Sequence, residues 1–148
     1  MPETTKLIDE MAEDIFALFR VIASARSRGQ TGSSDLSESE FVTLDILSKE
    51  GPITIGAVQK RVGVAPAQMS RVVRALEVEG GRGFVECKIN PDDRRCVNLS
   101  LTDAGRKAFV AFRHSRLSSF RTILEALEPA DRGEFMRMLK CIGDAFTP

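Results

Sequence analysis

The feature that most limits how this chain can fold lies between Phe84 and Gly105. Two strand-like runs, Phe84 to Ile89 and Val97 to Leu101, are rich in Val, Ile and Phe. They are joined by NPDDRR, in which Asn, Pro and Asp are turn formers. Thr102 follows at once, a residue type that caps helices, and the rest of the chain has helical rather than strand periodicity. With 148 residues and 43% hydrophobic content, the chain is about one domain long and buries a real core. The expected class is therefore mainly α with one small β-hairpin, an α+β arrangement.

The helical frame is legible from spacing and caps. Leu7, Ile8, Met11, Ile15, Leu18, Phe19 and Ile22 recur every three or four residues and predict a long amphipathic helix from about Thr5 to Ala25. The Gly- and Ser-rich RSRGQTGSSD, Arg26 to Asp35, reads as a loop. Ser37 and Glu40 form a capping box that opens a helix with Phe41, Leu44 and Leu47 on its apolar face, and Gly51-Pro52 ends it. Thr54 caps a short helix through Val62, stopped by Gly63. Ala65-Pro66 begins another, to about Glu79.

Two short helices joined by a tight glycine turn outline a helix-turn-helix. Ile55, Val58 and Val62 face inward from the first helix, and Met69, Val72, Val73 and Leu76 from the second. Pro66, Ala67, Gln68, Ser70, Arg71 and Arg74 are left outside. Alone, this segment is equally an ordinary helical hairpin with two surface arginines. The strands that follow make it a winged helix, whose second helix enters a major groove while the wing reaches the adjacent minor groove. Arginine at the wing tip suits a narrow, electronegative minor groove. A neighbouring aspartate can hold the guanidinium by a bidentate pair.

The net charge of zero argues by itself against a nucleic-acid partner, but its distribution does not. Residues 1 to 58 carry net −5, residues 59 to 107 net +4 and residues 108 to 148 net +1. A basic middle is either a solvated face or a nucleic-acid footprint.

Two segments carry a family resemblance. VAPAQMSRVVRALE, Val64 to Glu77, looks like the recognition helix of the MarR (multiple antibiotic resistance) regulators. DRRCVNLSLTDAG, Asp93 to Gly105, is similar to their wing signature, Asp-x-Arg, a strand, then Leu-Thr-x-x-Gly. The flanking helices also fit, so the resemblance spans nearly the whole chain as a single domain of residues 1–148. About 36–107 would be the winged helix-turn-helix, and about 1–30 and 108–148 the dimerisation helices. The resemblance implies that Arg95 enters the minor groove, that Asp93 orients it and that Arg94 is an auxiliary phosphate contact. Lys88 is a candidate for the phosphate contact of an arginine common where Cys87 stands. Ala65 and Ala67 occupy positions where Ser or Thr is frequent, which shifts base readout toward Gln68, Ser70 and Arg71. VEGGRG, Val78 to Gly83, is longer and richer in glycine than the family's usual link to the wing.

A single winged helix buries too little DNA surface for a tight operator complex, so a homodimer on a pseudo-palindromic duplex is expected. Apolar stripes supply the material: Phe109, Phe112, Leu117, Phe120, Ile123, Leu124 and Leu127 in a fifth helix broken at Glu128-Pro129, and Phe135, Met138, Leu139, Ile142 and Phe146 in a last one. They exceed what one small winged helix needs. The resemblance further implies a transcriptional regulator, a repressor in the first instance, modulated by a small-molecule effector that no motif here identifies.

Other classes find little support. No paired carboxylates, activated nucleophile or phosphate loop points to an enzyme, and His114 in HSRLSS reads as solvent-facing. Three cysteines without CxxC spacing and one histidine make no familiar metal set, so neither metal nor cofactor is expected. Cys141 reads as a buried small hydrophobe. No window approaches the roughly 18 apolar residues of a membrane span, and MPETTKLIDE is unlike a secretory signal, so a cytoplasmic protein without membrane contact is expected. Two alternatives stay open. One is a winged helix used for protein interaction without DNA. The other is redox response: a turn centred on Pro91 and Asp92 would set Cys87 almost opposite Cys96, within disulfide reach, with Lys88, Arg94 and Arg95 lowering a thiol pKa. The reducing cytosol and the absence of any tyrosine or first-helix cysteine argue against it.

Overall fold

In the computed structural model, residues 2–29 and 36–146 are described. The elements in chain order are α1 (Pro2–Gly29), α2 (Glu38–Glu50), β1 (Ile53–Thr54), α3 (Ile55–Val62), α4 (Pro66–Leu76), β2 (Val85–Ile89), β3 (Val97–Leu101), α5 (Asp103–Glu125) and α6 (Pro129–Phe146). They group into two compact units, residues 33–114 and residues 1–32 with 115–148, and the division falls inside α5.

The central unit is the winged helix. α2 opens on the expected capping box: Glu40 N–H donates to Ser37 Oγ at 3.2 Å, and Ser37 N–H donates to Glu40 Oε2 at 3.0 Å. Thr54 Oγ1 accepts from Ala57 N–H at 3.2 Å to start α3, and Gly63 ends it in the left-handed conformation (φ 74°). Ala65 caps α4 without a side-chain hydrogen bond, with Pro66 in the first turn. Leu36, Leu44, Leu47, Val58, Met69, Val72, Val73, Leu76, Val85, Leu99 and Phe109 form one buried core. Phe41 stacks at a tilt on Phe109, ring centroids 5.4 Å apart. At about 25 cal/mol per Å² of apolar surface removed from water, this burial is the main force holding the unit together.

The sheet has three strands in the order β1-β3-β2, all antiparallel. β1, two residues paired Ile53↔Leu99 and Thr54↔Asn98, has no counterpart in the sequence reading, because two residues are too short for a periodic signal.

Two helix ends differ from expectation. α4 stops at Leu76 rather than near Glu79. Glu77 is already extended (φ −64°, ψ 156°) and bridges Val85 in parallel, so VEGGRG folds back on the helix instead of continuing it. Arg82, Gly83 and Phe84 N–H donate to the carbonyls of Ala75, Glu77 and Leu76, satisfying groups that a helix end leaves bare. A Cβ at Gly81 would lie 2.5 Å from the Arg74 carbonyl oxygen, so the fold-back requires glycine there. The long link to the wing is thus tied down by hydrogen bonds. α1, in turn, runs from Pro2 to Gly29, so four residues of the expected Arg26–Asp35 loop are helical; residues 30–35 lie outside the described part of the chain.

In the second unit, α1 leaves Leu7, Ile8, Met11, Ile15, Phe16, Leu18, Phe19 and Val21 exposed, Phe19 by 68%. α6 buries no residue fully and exposes Met138, Leu139, Ile142 and Phe146. Cys141 is exposed on the same helix, against the expectation of burial, because none of the described residues covers α6 there.

Candidate nucleic-acid interface

α4 divides cleanly by periodicity. Met69, Val72, Val73 and Leu76 are buried, and Pro66, Ala67, Gln68, Ser70, Arg71 and Arg74 are all exposed, as helical spacing requires. Ser70 Oγ donates back to the Pro66 carbonyl at 3.1 Å. Gln68 Nε2 donates to Ser39 Oγ in the first turn of α2 at 3.3 Å. Ser37, Ser39, Glu40, Gln68, Arg71 and Ala75 line a groove between the two helices. Ser39 was not among the residues singled out from the sequence, since nothing local marks a partner 29 positions away.

The wing tip is built by Asn90. Its Oδ1 accepts from Asp92 N–H at 2.8 Å and Asp93 N–H at 3.1 Å, while its Nδ2 donates to Asn98 Oδ1 at 3.1 Å. Cys96 N–H closes the turn on the Asp93 carbonyl at 2.9 Å. On this frame Arg95 sits with its side chain 90% exposed. Its guanidinium makes a fork to Asp93, Nε to Oδ1 at 3.1 Å and Nη2 to Oδ2 at 3.2 Å, and its backbone N–H adds a third bond to Oδ1 at 3.0 Å. These bonds, the side-chain pair first, hold the Asp93 carboxyl below the usual aspartate range. The fork is therefore present at neutral pH and is lost only as the pH falls through that lowered value.

The remaining candidates are less concentrated. Arg94 is exposed beside Arg95. Lys88 Nζ lies 2.7 Å from Glu86 Oε1 on the same face of β2, so part of its charge is met within the wing. No group of three or more His, Cys, Asp or Glu among the described residues is placed to hold a metal ion.

The juxtaposition of Cys87 and Cys96 does not survive. The ladder pairs Cys87 with Leu99, and Asn90 N–H donates to the Cys96 carbonyl, so the turn centres on Asp93 rather than on Pro91 and Asp92. Cys96 is thereby three residues, about 10 Å along a strand, from the position opposite Cys87, too far for a disulfide. Desolvation, followed by the nearby Glu77 carboxylate, pushes the Cys87 thiol up to about 11, opposite to the activation expected from the surrounding cations. Cys96 instead turns its thiol toward Asp93 Oδ2, 3.7 Å away.

The Leu-Thr-x-x-Gly segment also acquires a physical reason. Thr102 Oγ1 donates to the Gly83 carbonyl at 2.7 Å and accepts from Gly105 N–H at 2.9 Å, joining the base of the wing to the first turn of α5. A Cβ on Gly105 would overlap the Phe84 carbonyl, so only glycine lets α5 approach the wing this closely.

Comparison with known proteins agrees with this geometry. The model of the MarR family matches residues 36–97. An uncharacterized HTH-type transcriptional regulator of Mycobacterium bovis is 32% identical over 123 residues, 82% of each chain. The HTH-type transcriptional repressor MdtR of Bacillus subtilis is 26% identical over 140 residues, 88% of this chain and 85% of that one. The crystal structure of Rv1404 from Mycobacterium tuberculosis superposes with a TM-score of 0.74 at 26% identity, covering 95% of this chain and 94% of the other. With its winged helix-turn-helix, its Asp93–Arg95 wing tip and a relative this similar over most of its length, the chain belongs to the MarR family of DNA-binding transcriptional regulators, and is not an enzyme.

Proposed function

We propose that the protein is a homodimeric repressor that binds a pseudo-palindromic operator and loosens its hold when a small molecule binds. In each half-site α4 lies in the major groove, where Gln68, Ser70 and Arg71 meet base edges and Pro66, Ala67 and Arg74 flank them. The wing places Arg95 in the minor groove, with Arg94 and Lys88 toward phosphates. The observation that carries this reading is the Asp93–Arg95 fork on an exposed tip, in the same compact unit as the polar face of α4. A guanidinium held by a carboxylate loses less freedom on entering a groove than a free one. The exposed apolar side chains of α1 and α6 support a dimer, because patches of that size on a monomer are rare. Repression follows the description of the Bacillus subtilis relative, and the effector rests on family membership alone.

The test is fluorescence anisotropy across a salt series, on a high-affinity duplex and on unrelated DNA. Arg95→Ala should weaken binding to both and lower the salt slope by about one unit per subunit, because fewer counterions are released. Asp93→Ala should do the same more weakly. Gln68→Ala should cost roughly 1 to 3 kcal/mol per half-site on the specific duplex only, with the slope nearly unchanged. An Arg95→Ala protein with wild-type affinity and slope would show that the wing does not touch DNA. Equal affinity of the wild type for all duplexes would favour a protein-interaction role instead.

A further inference from the structure

The contact between Gln68 and Ser39 joins the exposed face of α4 to the first turn of α2. Gln68 is exposed and Ser39 is half-buried. Ser39 belongs to a helix anchored by the capping box and by the buried Leu44 and Leu47, so its hydroxyl is a fixed point beside a side chain with three rotatable bonds. Of its neighbours, Glu40 accepts from Ser37 N–H at 3.0 Å, and the Ser39 carbonyl accepts from Thr43 Oγ1 at 2.7 Å.

A glutamine amide offers one acceptor oxygen and two donor hydrogens. In the observed arrangement one amide hydrogen is directed at Ser39 Oγ, and Oε1 and the second N–H remain. That pair matches adenine in the major groove, whose N6–H donates and whose N7 accepts. A guanine at the same place presents two acceptors, N7 and O6, and would leave Oε1 facing an acceptor.

We propose that Ser39 is a specificity-determining residue, a positioning residue that holds the Gln68 amide in the orientation that selects adenine at one base pair of each half-site. The inference rests on the reading of Gln68 as a base contact. It assigns to α2 a share in sequence choice that neither the exposed face of α4 nor the wing supplies.

The experiment uses the full-length chain and a duplex selected by the wild type from a random DNA pool. Each base pair of that duplex is then substituted in turn, and competition affinities are measured for the wild type, Ser39→Ala, Ser39→Thr, Gln68→Ala and the double variant. Gln68→Ala should erase the preference for adenine at one position per half-site. Ser39→Ala should reduce that preference about two- to tenfold, the range that one neutral hydrogen bond carries. Ser39→Thr, which keeps the hydroxyl, should restore it, and the double variant should match Gln68→Ala alone. Affinity for unrelated DNA and the salt slope should not move.

Three outcomes overturn the proposal, and they are distinguishable. If Gln68→Ala erases the preference while Ser39→Ala leaves it intact, Gln68 reads the base unaided. If Ser39→Ala weakens every duplex equally, Ser39 is a backbone contact. If Gln68→Ala changes no position, the base-reading role of Gln68 fails, and the role of Ser39 fails with it.

Discussion

Arg95 and Cys87 show how much two nearby side chains on one small hairpin can differ. Arg95 keeps its charge in solvent and directs its guanidinium at Asp93. Cys87 is half-buried against Glu77, and the loss of solvent is the first reason its thiol is pushed up to about 11. A group whose folded pKa is raised holds its proton in the fold, so no stability is lost to it at neutral pH. A penalty grows only as the pH climbs from the ordinary thiol range toward about 11. At pH 7.5 the folded protein should therefore show Cys87 alkylated by iodoacetamide roughly a hundredfold more slowly than in the urea-unfolded chain, since only the thiolate reacts. Peptide mapping by mass spectrometry reads this directly; equal rates in the two states would show that Cys87 is not shielded. The same measurement bears on redox response, because a thiol kept protonated and displaced from Cys96 has neither the nucleophile nor the partner it would need.

Among the elements, the junction of wing and α5 carries the most structural demand in the fewest residues. Thr102 caps α5 and at the same time binds the Gly83 carbonyl, and Gly105 leaves room for the Phe84 backbone. Thr102→Val, which keeps the shape and removes both hydrogen bonds, should destabilise the protein by about 1 kcal/mol or somewhat more. Gly105→Ala should cost about 1 to 3 kcal/mol, because the new methyl meets backbone rather than a side chain that could swing away. Urea unfolding at one fixed protein concentration measures both, the concentration being held because the proposed dimer would gain apparent stability with concentration. Should Gly105→Ala leave the midpoint unchanged, the close approach of α5 to the wing is not required for folding.

At the scale of the whole molecule, the two compact units differ in what they bury. The unit of residues 33–114 encloses a continuous core, whereas α1 and α6 leave long apolar faces in solvent. A helix with that exposure is stable when a second surface covers it. On the proposed dimeric reading, removal of residues 1–25 should therefore yield monomer or aggregate in sedimentation velocity, and affinity for a duplex with two half-sites roughly 10 to 10.5 base pairs apart should fall, because one particle would no longer hold both. A truncated chain that remains dimeric and binds as well as the full chain would refute the role given to α1.

What the amino-acid sequence determined by itself is the set of features decided within a few residues. The capping box at Ser37 and Glu40, the stop at Gly63, the division of α4 into buried and exposed faces, and the Asp93–Arg95 pair at a turn all depend on neighbours at most four positions away. Their energies are local, so residue type and spacing reveal them. The tertiary structure alone decided the features that depend on distant backbone. The early end of α4 reflects the bridge of Glu77 to Val85, and β1 exists only because β3 pairs with it. The separation of Cys87 from Cys96 follows from the turn that Asn90 builds, which recentres the hairpin on Asp93; a shift of register relocates every cross-strand pair without altering any residue's propensity. The Ser39–Gln68 contact spans 29 positions and exists because the core sets α2 beside α4, and packing between helices has no local sequence signal.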